Sequence, residues 1–168
     1  LKYFSCHYNN YELSIMTKYC SRGDLNKIII KKCKIFNYFT ENEIWKIFIQ
    51  VCYAIHFLHE NNIIHRDLKS ANIFLEKDYA INLGDFGISK ILNNVDLTAT
   101  QIGTPLYLSP ELVKRKRYGK KTDMWSLGCV AAELFLGLPI LPGVNELDQL
   151  GRIQEMIGPV PEWMLDQG

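Results

Sequence analysis

The run His65-Arg66-Asp67-Leu68-Lys69-Ser70-Ala71-Asn72, followed by Asp85-Phe86-Gly87, constrains this chain more than any other feature. It places two carboxylates, an ammonium and a carboxamide in one short stretch. Between Asn72 and Asp85, the segments Ile73-Phe74-Leu75 and Ala80-Ile81-Asn82-Leu83 flank the turn-prone Glu76-Lys77-Asp78. Apolar strand signals around a polar turn predict a short hairpin, and a hairpin here brings Asn72 and Asp85 to one mouth.

The flanking chain is patterned to hold such a loop. Thr40-Glu41-Asn42-Glu43 is a capping box, and Ile44, Ile47, Phe48, Val51, Cys52, Ile55 and Leu58 recur at helical spacing. An amphipathic helix over about 41–60 follows, and Asn61-Asn62 ends it just before His65. Asp24 is favourable at the start of a second helix running to about residue 34. Leu13-Ser14-Ile15-Met16-Thr17 alternates weakly and is β-rich, which predicts a strand.

H-R-D-L-K-x-x-N and D-F-G, in that order, resemble the catalytic core of a eukaryotic-type protein kinase. A motif counts only in its expected context, and the hairpin and long helix supply it. The resemblance implies an α+β, protein-kinase-like fold: a mostly helical large lobe plus the last strands of the small lobe and the hinge. Residues 1–168 read as a single partial kinase domain, with 1–20 the end of the small lobe and hinge and 21–168 an incomplete large lobe.

Phosphoryl transfer needs positioning and charge stabilisation rather than covalent help. By resemblance, Asp67 would accept the proton of the substrate hydroxyl, Lys69 would contact the γ-phosphate of ATP, and Asn72 with Asp85 would hold Mg2+, a cation that prefers hard oxygen ligands. Thr17 would be the gatekeeper and Lys18-Tyr19-Cys20 the hinge that meets adenine, with Phe74 under the adenine; a plain core aromatic is an equal reading of Phe74. Lys18 stands where related kinases often carry an acid. Cys20 at the hinge is a candidate for covalent modification.

Gly103-Thr104-Pro105-Leu106-Tyr107-Leu108-Ser109-Pro110-Glu111 resembles the substrate-docking loop, so Asp85 to Glu111 would be the activation segment. Lys69 together with Gly103-Thr104 resembles serine/threonine kinases, with Thr104 near Asp67 and Lys69. Arg66 beside Asp67 implies ordering of that segment by an arginine-phosphate pair, at Thr100 or its competitor Thr98. Thr122-Asp123-Met124-Trp125-Ser126-Leu127-Gly128 resembles the start of the central buried helix, to about 136, whose Asp123 bonds the catalytic-loop backbone. A solvated acid at a helix N-terminus is the plainer reading of Asp123.

Residues 1–125 resemble NIMA-related kinases, on Cys20 to Leu25, His65 to Leu75, Leu83 to Lys90 and Gly103 to Leu112. Residues 126–168 are more similar to Yak-related dual-specificity tyrosine-regulated kinases, on Glu133 to Gly143, Asp148-Gln149-Leu150 and Pro161 to Leu165. A divergent kinase, a recombined gene and a chimera would each give this pattern. No Tyr-x-Tyr lies between Asp85 and Glu111, so serine/threonine activity is the expectation.

Neither G-x-G-x-x-G nor V-A-I-K occurs in the 168 residues. The chain is therefore expected to start inside the small lobe and to stop before the large lobe ends, leaving Glu111 without its usual arginine and exposing apolar surface around 122–136. The isolated chain is expected to be inactive, with a non-catalytic binding or regulatory module as the alternative reading.

With 19 basic against 18 acidic residues, bulk charge argues against nucleic acid or an anionic membrane as the main partner. The basic run Lys114 to Arg117 with Lys120-Lys121 reads first as a solvated loop, and second as an attractor of substrate or another anion. Five cysteines, odd in number and without a C-x-x-C pair, fit reduced thiols in a cytoplasmic setting. The apolar stretch 127–141 is too short to span a bilayer. Protein substrates bearing Ser/Thr and ATP are the expected partners, and the sequence does not set the oligomeric state.

Overall fold

The computed structural model describes residues 1–87, 89–91 and 105–163; Thr98, Thr100, Gly103 and Thr104 lie outside it. Strands β1 (Tyr3–Asn9) and β2 (Glu12–Thr17) form an antiparallel hairpin with an irregularity between Tyr3 and Ser5. Its turn residues Asn10 and Tyr11 both have positive φ, as a tight primed hairpin turn requires. The predicted strand is β2; β1 carries no alternation that sequence could have shown, because nearly all of it is exposed.

Helix α1 (Leu25–Lys34) begins where the Asp24 carboxylate accepts from Lys27 N at 2.9 Å. Helix α2 (Glu41–Glu60) begins with the predicted capping box: Glu43 N donates to Thr40 Oγ1 at 3.3 Å and Thr40 N to Glu43 Oε2 at 2.8 Å. Its Ile47, Val51, Ile55 and Leu58 are buried as one stripe. Each such side chain gives about 1.5–3 kcal/mol relative to exposure, so the stripe fixes α2 against the rest of the core.

From α2 the chain passes through the short strand β3 (Ile63–Ile64), the catalytic-type loop and a turn of 3₁₀-helix at Ser70–Asn72. The predicted hairpin is present as β4 (Ile73–Leu75) paired with β5 (Ile81–Leu83), Ile73 facing Leu83. Strand β6 (Lys90–Ile91) pairs back onto β3. Downstream come α3 (Pro110–Val113), α4 (Lys120–Leu136) and α5 (Glu146–Ile157).

Helix α4 starts at Lys120 rather than near 122, because Gly119 and not Thr122 is its N-cap. It ends at Gly137, whose φ of 79° closes the helix. α4 runs through the core beside α2, burying Leu127, Cys129, Val130 and Leu134 together with Thr122, Asp123, Ser126 and Glu133. Apolar surface remains on and just after it, with Met124 53%, Phe135 74% and Leu138 54% exposed. No described helix is long and apolar enough to cross a membrane.

Candidate active site

The loop between β3 and β4 is latched from beneath by α4. The Asp123 carboxylate, fully buried, accepts His65 N and Arg66 N at 2.9 Å each, and His59 Nε2 lies 2.8 Å from the same group. A buried charge is tolerated only when so satisfied, which excludes the solvated-acid reading. Arg66 takes a φ of 70°, a left-handed geometry that its bond to Asp123 helps to hold.

Above this latch, Lys69 Nζ donates to Asp67 Oδ2 at 2.6 Å and Asn72 Nδ2 donates to the same oxygen at 3.1 Å and to Asp67 O at 2.8 Å. Gly84 N donates to Asn72 O at 3.0 Å, so the β4–β5 hairpin ties Asn72 to the residue before Asp85. His65 Nε2 is 3.1 Å from Gly84 O, and its ring lies 5.1 Å from that of Phe86. Burial holds the His65 imidazole below its ordinary pKa, against the pull of Asp123. It therefore bridges loop and D-F-G as a neutral ring.

Thr17, Lys18, Tyr19, Cys20 and Phe74 are brought together with Leu1, Gly23, Asp24 and Lys27 around a cleft of about 340 Å³. Lys18 forms an ion pair with Glu76 at 2.6 Å, which holds the Glu76 carboxyl below its usual range. The hinge cation is thus neutralised by the β4–β5 turn. Cys20 does not match the modification reading: it is 7% exposed and burial pushes its thiol up. A Cβ at Gly84 would lie 2.8 Å from Phe74 Cε2, so glycine there leaves the Phe74 ring its place.

The residues present fit a magnesium-bound nucleotide. Asn72 spends its amide nitrogen on Asp67, leaving its carbonyl as the coordinating end, and the Asp85 carboxylate is exposed with φ 61°. No group of three His, Cys, Asp or Glu that could hold a metal occurs among the described residues. A cation at Asn72 and Asp85 would therefore depend on ligand oxygens, as magnesium in nucleotide sites does.

One buried cluster escaped the sequence reading. Glu133, 1% exposed, accepts Ser70 Oγ at 2.9 Å and Tyr107 OH at 2.6 Å. Burial pushes the Glu133 carboxyl up, and burial together with Glu133 raises the Tyr107 hydroxyl. The cluster joins α4, the loop and the segment 105–107. A lone acid in the apolar run Val130-Ala131-Ala132-Glu133-Leu134 was the available signal. Glu111, buried, accepts from Thr122 Oγ1 at 2.7 Å.

The sequence profile of the protein kinase domain matches residues 1–163. The chain is 49% identical over 127 residues to the serine/threonine-protein kinase Nek1 of Mus musculus, covering 74% of this chain and 10% of that protein. It is 40% identical over 148 residues to the serine/threonine-protein kinase Nek3 of Oryza sativa subsp. japonica, covering 88% and 25%. An alignment over 88% of the chain runs past residue 125, and these relatives do not show a Yak-related likeness for 126–168. In the crystal structure of the yeast RNA Pol II CTD kinase CTDK-1 complex, one chain superposes with a TM-score of 0.86 at 27% identity, over 95% of this chain and 52% of that one. The chain spans a quarter or less of these two curated relatives. On the matched profile and the Nek relatives, the chain belongs to the protein kinase domain family and resembles its NIMA-related serine/threonine kinases.

Proposed function

We propose that the protein containing this chain transfers the γ-phosphoryl group of ATP to serine and threonine hydroxyls of protein substrates. The observation that carries the reading is the convergence of Lys69 Nζ and Asn72 Nδ2 on Asp67 Oδ2, on a loop that Asp123 fixes. Asp67 orients the substrate hydroxyl and accepts its proton as the oxygen attacks phosphorus. Lys69 places a positive charge where the transferring phosphoryl gathers negative charge. Asn72 and Asp85 would hold magnesium, which neutralises phosphate charge. Thr17 to Cys20 and Phe74 would seat adenine, Thr104 would admit a Ser or Thr hydroxyl, and Arg66 would receive a phosphate at Thr100.

A cytoplasmic setting is part of the proposal, supported by five cysteines that are all free thiols. For the isolated 168 residues a non-catalytic reading is favoured, because they contain no glycine-rich loop or V-A-I-K lysine, which cover and pair the phosphates in kinases.

The test is phosphorylation of Ser/Thr peptides by the full-length protein and by residues 1–168. The full-length protein is expected to be active and to lose on the order of 10²–10⁴-fold in rate with Asp67→Asn. Undiminished rate in that variant overturns the assignment. Residues 1–168 alone are expected to transfer negligibly, and activity there that Asp67→Asn abolishes overturns the reading of the isolated chain.

A further inference from the structure

Lys114, Arg115, Lys116 and Arg117 on the connection between α3 and α4, with Lys120 and Lys121 in the first turn of α4, form a basic ridge, while the remaining sequence carries more acids than bases. Two of the acids near this ridge are engaged elsewhere, and a third pairs with one ridge cation, Lys116. Glu111 is buried and accepts from Thr122, Asp123 is buried beneath the catalytic loop, and Glu162 lies 3.3 Å from Lys116 Nζ. Among the described residues no acid pairs with Lys114, Arg115, Arg117 or Lys120, whose Nζ donates to the neutral Asn62 Oδ1 at 2.9 Å.

The backbone presents this charge at a conformational cost. Lys116 N donates to Glu111 O at 2.9 Å and Arg115 N to Leu112 O at 3.1 Å, closing α3 with Arg115 at φ 56°. Glycine fills such a position without steric penalty, yet an exposed arginine occupies it. The ridge is also anchored to the site: Tyr118, 1% exposed, accepts from Arg66 Nη1 at 3.2 Å, next in sequence to Asp67.

We propose that this ridge docks an acidic, carboxylate-rich segment of the protein substrate, a substrate class that rests on the kinase reading above. Complementary charge steers such a segment and sets its register beside the catalytic loop. A single-stranded nucleic acid would look for aromatic faces to stack on, and Tyr118, the one aromatic within the ridge, is buried. An anionic membrane is best met by a polybasic amphipathic helix, whereas these cations lie on a connection and the first turn of α4.

Fluorescence anisotropy with the 168-residue chain tests the docking directly, using an Asp/Glu-rich peptide, its Asn/Gln isostere, duplex DNA and phosphatidylserine vesicles. The acidic peptide is expected to bind, to weaken as salt rises, and to lose about tenfold in affinity when Lys114, Arg115, Arg117 and Lys120 are all changed to Gln, given the modest worth of each exposed charge. Changing the distant exposed Lys31, Lys34 and Lys46 to Gln should leave it unaltered. A variant with Lys114, Arg115, Arg117 and Lys120 all changed to Glu reverses the net charge of the ridge and should turn the preference toward a lysine-rich peptide, which misfolding cannot imitate. Equal binding of the isostere, indifference to the four changes, or tighter binding of DNA or vesicles overturns the proposal.

In the full-length protein, the four changes should raise KM about tenfold for a Ser/Thr peptide bearing an acidic segment and leave kcat unchanged. Phosphorylation of neither acidic nor neutral peptide would refute the kinase reading while the binding result stands. Phosphorylation of both with equal KM would refute the docking role alone.

Discussion

Asp123→Ala removes the carboxylate that joins α4 to the loop carrying Asp67. The variant orphans the backbone N–H groups of His65, which is fully buried, and of Arg66, each 2.9 Å from that carboxylate, and takes the partner from His59 Nε2. A buried donor left unsatisfied costs about 1–3 kcal/mol, so the two backbone groups and the histidine together predict a loss of about 3–5 kcal/mol, in line with breaking a buried charged pair. Total stability of a domain is about 5–15 kcal/mol. With a urea slope of about 2 kcal/mol per molar, the unfolding midpoint should fall by about 1.5–2.5 M. Asp123→Asn keeps one acceptor oxygen and should lose about half as much. Circular dichroism in urea gives the midpoints, and amide exchange at His65 and Arg66 should accelerate in both variants. A loss below about 1 kcal/mol for the alanine variant would mean that the loop amides find other acceptors, and that α4 does not hold the loop.

Gly84→Ala should displace the Phe74 ring, since the added carbon meets Cε2 at 2.8 Å; overpacking of this kind costs about 1–3 kcal/mol, and unchanged urea midpoint and nucleotide-analogue affinity would contradict it. Alkylation followed by mass mapping should label exposed Cys6 first and Cys129 last, because burial pushes the Cys129 thiol up to about 12. Acidification should weaken the fold: His65 has a folded pKa below its unfolded value, so its contribution is complete above about pH 6.5 and is lost as pH falls below it. Urea titrations between about pH 7 and 5 should show this decline, and it should shrink in His65→Gln. Thr40→Ala removes one half of the capping box and should lower stability by about 1 kcal/mol in the same assay.

Local chemistry was legible in the sequence wherever a short-range rule decides. The Thr40–Glu43 box, the Asp24 cap and the 73–83 hairpin all appear where their residues predict, because capping and turn formation need only neighbours in the chain. Asp123 was legible only through resemblance, since its partners at residues 59, 65 and 66 are remote in sequence. Ser70, Tyr107 and Glu133 become a cluster only once α4 is packed, and of the three only Glu133, a lone acid in an apolar run, stands out in the sequence. α5 carries a clear cap, with Asp148 N donating to Asn145 Oδ1 at 2.9 Å, a local signal of the same kind as the Thr40 box. The burial of Cys20 is set by residues remote in sequence that cover the hinge, which no local rule shows.

The β1–β2 hairpin has a consequence for how the chain behaves in solution. Its strands pair only with each other among the described residues, and Tyr3, Phe4, Tyr8, Leu13, Ile15 and Met16 are each more than half exposed. Open strand edges flanked by apolar side chains recruit further strands. Two such ribbons meeting edge to edge would extend each other's ladder, so self-association of this chain should rise with concentration through strand pairing as well as through the apolar helical surface.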